Sequence, residues 1–223
     1  MEFMRHDFLK TLTYLSFLAI SLAPVSTGTT IQLVSSAETT TNNSGNATVA
    51  ITKNPAWADP LAGSSWVSTA STGNPSAPGY VVFPNGTNIL FGQSFFLDGL
   101  VESASLSVLA DDTAAVFVNG TQIFGASTGP SNISCAGAAI GCLVSTTKTF
   151  GTADLTPYLN TGAVNTIQFE VMQIAGSSFG LDYAGQITTM SNPDQITATP
   201  EPGTLALLSI AFGGLGVWRR RKV

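Results

Sequence analysis

The chain has 223 residues, of which only 9% are charged, against about 25% in an average soluble protein. Its polarity comes from 28 Thr, 23 Ser and 22 Gly, while 13 Phe and several Val and Ile runs exclude a chain that is disordered throughout. Between Glu38 and Pro200 ten acidic side chains stand against Lys53 and Lys148, a net of about −8 that repels phosphate backbones and excludes nucleic acid as a partner.

In chain order, Arg5 and Lys10 precede the uncharged run Leu12–Ala23, too short to span a membrane comfortably and placed as in a secretory signal peptide. Ser35-Ser36-Ala37 offers small residues at the positions a signal peptidase reads, whereas Pro24 disfavours a cut directly after Ala23. Residues 1–37 are therefore expected to form the signal segment, helical in its apolar part. Residues 38–54, rich in Thr, Asn and Ser, read as a flexible lead or a first edge strand. Export leaves roughly 160 residues between the two terminal segments, enough for one domain.

Residues 55–190 hold short β-rich runs between turn signals: Ser65–Thr69, Tyr80–Phe83, Ile89–Leu97, Ala104–Ala110, Ala115–Val118, Gln122–Phe124, Val164–Ile174 and Leu181–Thr188. Leu106 and Val108 alternate with Ser105 and Ser107. Ile167, Phe169 and Val171 alternate in the same way with Thr166, Gln168 and Glu170, as in antiparallel sheets with one wet face. Asn119-Gly120 predicts a type I′ hairpin, and Asp154–Leu159 a single helical turn capped by its Asp. The fold class is all-β, a single antiparallel β-sandwich. The stretches Leu106–Gly125, Asp154–Gly162 and Asn165–Ile187 together resemble the galactose-binding-like jelly roll, with its Ala-Asp-Asp strand end, Val-Asn-Gly hairpin and Asp-Leu-Thr turn. That resemblance implies a module that binds sugars or acts as a structural accessory, and fold alone does not choose between them.

Asp111 and Asp112 are the obvious carboxylate pair, and Asp98, Asp154 and Asp182 could join them in space. Neighbours on a strand point to opposite faces, which suits turn formation or hard-cation ligation better than acid–base work on one bond. Calcium is the cation such oxygens would hold, although no 12-residue calcium loop is present; no other cofactor is expected. The only histidine, His6, lies in the signal segment, leaving the body without a triad or zinc site. Cys135 and Cys142 read as a small disulfide closing a Gly/Ala-rich loop, or as two free thiols. Trp57, Trp66, Tyr80, Tyr158 and Tyr183 are candidate sugar platforms, though any one of them is more often core.

After a linker at residues 191–199 come Pro200-Glu201-Pro202, the uncharged stretch Thr204–Trp218 and the cations Arg219, Arg220, Arg221 and Lys222. As a helix the stretch would span about 22 Å, a minimal transmembrane anchor whose cations stay in the cytoplasm. Residues 200–223 resemble the PEP-CTERM sorting signal of Gram-negative bacteria. The resemblance implies signal peptidase and an exosortase as processing partners, membrane attachment through the C-terminal helix before processing, and delivery to the cell surface or extracellular matrix of bacteria that make exopolysaccharide and biofilm. The sequence thus reads as an exported, non-catalytic surface or matrix protein that contacts exopolysaccharide, or as a structural or adhesive envelope protein with no glycan site. An exported hydrolase is the weakest reading, since no spaced carboxylate pair or body histidine supports it.

Overall fold

The computed structural model describes residues 28–42, 44–127, 148–174 and 176–190. The expectations for the apolar run of the signal segment, for Cys135 and Cys142, and for the linker and tail at residues 191–223 lie outside the described residues.

Two antiparallel sheets form the domain, with strands numbered in chain order. One sheet runs β3 (Val49–Ala50), β4 (Val67–Ser68), β11 (Gly180–Thr189), β6 (Val101–Asp111) and β9 (Lys148–Phe150), with β1 (Thr30–Val34) also paired to β11. The other runs β2 (Thr41–Asn42), β5 (Asn88–Leu97), β10 (Ala163–Met172), β7 (Thr113–Val118) and β8 (Thr121–Phe124). From β4 onward the chain crosses between sheets so that β4-β11-β6-β9 faces β5-β10-β7-β8, the strand order of a jelly roll.

The predicted alternation sets the faces. Leu106, Val108, Ile167, Phe169 and Val171 are all buried between the sheets with Phe91, Leu97, Leu181 and Ile187. Phe169 stacks on Tyr183 across the core at 4.4 Å between ring centroids. Gly185 pairs with Leu106, and a Cβ there would stand 2.1 Å from the Ser105 carbonyl oxygen, so the close approach of β11 to β6 requires glycine.

The Asn119-Gly120 hairpin forms as predicted, with φ of 50° and 77° at its two central residues. Asn119 also ties the hairpin to the segment before β10: its Nδ2 donates to Tyr158 O at 2.7 Å and to Asn165 Oδ1 at 2.8 Å. Asn165, fully buried, donates in turn to Asn160 O at 2.9 Å. The helical turn there begins earlier than expected. Helix α1 (Thr152–Leu155) is followed by a 3₁₀ turn at Thr156–Tyr158, and Asp154 sits inside the helix, accepting the Gly151 N–H at 2.8 Å.

Three other expectations are corrected. Tyr80–Phe83 is not a strand; Val81 instead donates to Ser71 O at 2.8 Å. Residues 38–54, read as a flexible lead or a first edge strand, are not a lead and hold two edge strands, β2 and β3. Thr30–Val34, placed in the signal segment, is a strand with five register pairs to β11, and Leu33 is fully buried. β2 and β3 are two residues each in a stretch rich in Thr and Ser, and they leave little hydrophobic pattern to read.

Candidate functional site

One end of the outer face of the six-stranded sheet carries most of the residues that looked chemically suggestive, and that end is covered, while Ser103, Ser105 and Gln186 farther along the face are exposed. The loop between β3 and β4 folds back over Leu109, and its Trp57 and Trp66 rings lie 4.3 Å apart with both side chains buried. Two carboxylates beneath hold that loop down. The Trp57 indole N–H donates to Asp111 Oδ2 at 2.9 Å, while Asp182 accepts the Leu61 N–H at 2.8 Å, the Ser35 hydroxyl at 2.9 Å and the Ser64 hydroxyl. Both carboxyl groups are pushed up from their ordinary range. Burial is the main cause in each; at Asp111 the charge of Asp112 adds to it and the carboxyl reaches about 9.

Asp111 and Asp112 do not point to opposite faces. They stand at the corner where the chain leaves β6 for β7, so strand alternation ends there and the two carboxyls hydrogen-bond to each other. Asp112 Oδ2 also accepts the Ile174 N–H at 2.6 Å. This donor set does not fit calcium. The cation takes six to eight oxygens, whereas here the Trp57 indole N–H and the Ile174 amide N–H are aimed at Asp111 Oδ2 and Asp112 Oδ2. Asp98 and Asp154 lie elsewhere, Asp98 accepting the Thr29 hydroxyl at 2.8 Å and Asp154 in α1. Among the described residues no three His, Cys, Asp or Glu side chains come together.

The outer face of the five-stranded sheet is open. A groove of about 240 Å³ crosses it at Gly92 of β5, lined by Thr41, Asn42, Leu90, Ser94, Thr166 and Gln168. The groove exists because position 92 has no side chain. A Cβ there would come within 3.3 Å of Gln168 Cγ, in the register pair that joins Gly92 to Gln168. Its walls are amides, hydroxyls and one leucine, with no charged group among the lining residues.

At one end of the same face stands Phe96, 56% exposed, paired in register with Val164, 65% exposed. Phe96 is two residues beyond Ser94 on β5, a step of about 7 Å along a strand on the same face. The sequence reading missed it by looking to Trp and Tyr. Of those, Trp57, Trp66 and Tyr183 are buried, and Tyr158 is 37% exposed beside the Asn119 hairpin. The missed signal was present: Phe95 and Phe96 are consecutive on a strand, so if one faces the core the other must face solvent.

Residues 198–222 match the PEP-CTERM protein-sorting motif. The chain carries a PEP-CTERM sorting signal. The matched segment takes in Pro200, Glu201 and Pro202 and the cluster Arg219, Arg220, Arg221 and Lys222. The PEP-CTERM signal indicates an exported protein whose membrane-anchored precursor is processed, and it implies an exosortase as the processing enzyme. Among the described residues no helix is long and apolar enough to cross a membrane.

No curated protein matches the chain. Among solved structures, a family 35 carbohydrate binding module from Clostridium thermocellum is 13% identical, covering 70% of this chain and 97% of its own, with a TM-score of 0.37. CBM35 from Paenibacillus barcinonensis is 16% identical, covering 74% and 100%, also at 0.37. The GH31 alpha-xylosidase of Xanthomonas citri is 11% identical over 74% of this chain and 19% of its own, at 0.28. The jelly-roll assignment rests on the strand order and owes nothing to these likenesses.

Proposed function

We propose that this PEP-CTERM protein is a non-catalytic component of the cell surface or extracellular matrix, and that its jelly roll contacts exopolysaccharide across the open face of the five-stranded sheet. The single observation that carries the reading is the uncharged groove over Gly92, with Phe96 exposed on the same face two residues beyond the groove's Ser94. Glycans are recognised by a ring face against the apolar C–H face of a pyranose, with amides and hydroxyls taking the sugar hydroxyls. Phe96 supplies the ring face, and Asn42, Ser94, Thr166 and Gln168 supply the polar groups. A shallow site of this size holds about one sugar unit of a longer chain, so contact is weak per site and gains strength from repetition along the polymer.

Affinity electrophoresis of the mature exported protein against polysaccharides from exopolysaccharide-producing bacteria tests the proposal. Retardation by at least one glycan, unchanged by added calcium or by chelator, is the expected result. Free migration through the whole panel would remove the glycan site and leave the structural or adhesive reading. Retardation that vanishes with chelator would return Asp111 and Asp112 to the role of ligands.

A further inference from the structure

The strand β1 fixes where the export signal has to end. Thr30–Val34 makes five register pairs with β11, from Thr30 opposite Thr188 to Val34 opposite Ala184. Leu33 and Ser35 are fully buried. The Ser35 hydroxyl donates to Asp182 Oδ1 at 2.9 Å and accepts the Tyr183 N–H at 3.0 Å, while the Ser35 backbone donates to Tyr183 O and accepts from Ser65 N, both at 2.9 Å. A cut after Ala37 would discard all of this. It would expose the flank of β11, open a void at Leu33, strip the Tyr183 N–H and carbonyl of their Ser35 partners and take one of three donors from the buried Asp182.

Thr29 is the first described residue tied to β11's end. Thr29 N donates to Thr189 Oγ1 at 3.1 Å, its carbonyl accepts from Thr189 N at 2.9 Å, and its hydroxyl donates to Asp98 Oδ2 at 2.8 Å. Gly28, just before it, is exposed. In the sequence, Ser26-Thr27-Gly28 places small residues at the two positions a signal peptidase reads, five residues after the apolar run ends at Ala23 and clear of Pro24. Ser35-Ser36-Ala37 has the same pattern but lies fourteen residues beyond Ala23.

We infer that signal peptidase hydrolyses the Gly28–Thr29 bond, so that the mature protein begins at Thr29 and keeps β1. One water is consumed: its hydroxyl completes the Gly28 carboxyl group, its hydrogen goes to the Thr29 amine, and residues 1–28 leave. The new α-ammonium belongs to the residue whose hydroxyl already rests on Asp98, so the mature end acquires its positive charge beside a carboxylate.

Intact mass and N-terminal sequencing of the full chain after export in a Gram-negative host read the result directly. A Thr29 end is expected. A Glu38 end, or one inside Thr30–Val34, overturns the inference, and an end between Pro24 and Gly28 overturns the bond assigned. Two variants add a second readout. Gly28→Glu puts a charge where the peptidase needs a small residue and should accumulate uncut precursor, while Ala37→Glu should mature normally with the same end. Normal maturation of Gly28→Glu, or a precursor block in Ala37→Glu, would also overturn it.

Discussion

The two outer faces of the sandwich are built from opposite materials. On the six-stranded side two tryptophans and three aspartates are packed away, the rings against each other and over Leu109, the carboxylates under N–H and O–H donors. On the five-stranded side a missing side chain at Gly92, a few amides and hydroxyls and one exposed phenylalanine make the accessible surface. Residue types that look reactive in a sequence are those that a fold with little charge can use as internal fasteners. A carboxylate that holds three donors is saturated and has little left to offer a ligand. The open face leaves its groups facing water.

Removing the fastener should do most damage. Trp66→Ala deletes a fully buried ring and the partner of Trp57, so a loss of about 3–5 kcal/mol in urea unfolding is expected. A loss below about 1 kcal/mol would mean the loop is dispensable and the two faces are less different than their burial suggests.

A second effect separates the faces by pH. Asp111 keeps its proton in the fold up to about 9, against 3.8 ordinarily. Between those values the folded state binds a proton that the unfolded chain has released, so stability falls as pH rises across that window. Asp182, raised by burial, contributes slope of the same sign. Asp111→Asn keeps the shape and an acceptor for the Trp57 indole, and it should flatten the decline in denaturation midpoint measured from about pH 5 to about pH 9. An unchanged slope in that variant would show that Asp111 is ionised in the fold.

The smallest change in stability should accompany the clearest change in binding. Phe96→Ala and Gln168→Ala alter the open face, so unfolding midpoints should move little, while glycan retardation weakens about tenfold, roughly 1.4 kcal/mol. If both variants bind as the parent does, the glycan contact is elsewhere on the molecule.

Much of the sandwich was legible because alternation is enforced by burial. Once Ile167, Phe169 and Val171 face one way, Thr166, Gln168 and Glu170 must face the other. The Asn119-Gly120 hairpin was legible because few residue pairs tolerate positive φ twice in succession. β2 and β3 were not, being two residues each, and β9 has only three. β1 was hidden for a different reason: Ser35-Ser36-Ala37 has the small-residue pattern of a cleavage signal, and the sequence does not say that Ser35 is a buried hydrogen-bond hub. The groove was the least legible feature, since it depends on an absence at Gly92 and on the register that lays Gln168 beside it.

The place of β11 has a mechanical meaning. It is the last strand of the sandwich, it leads toward the sorting signal, and it is held by ten register pairs to β6 on one side and by five to β1, plus one to β4, on the other. Tension applied along β11 therefore shears it lengthwise between its neighbours. The hydrogen bonds lie across that direction and share the load together, where a hairpin peeled from its end would give them up one at a time. A domain loaded through this strand is gripped along the strand's whole length.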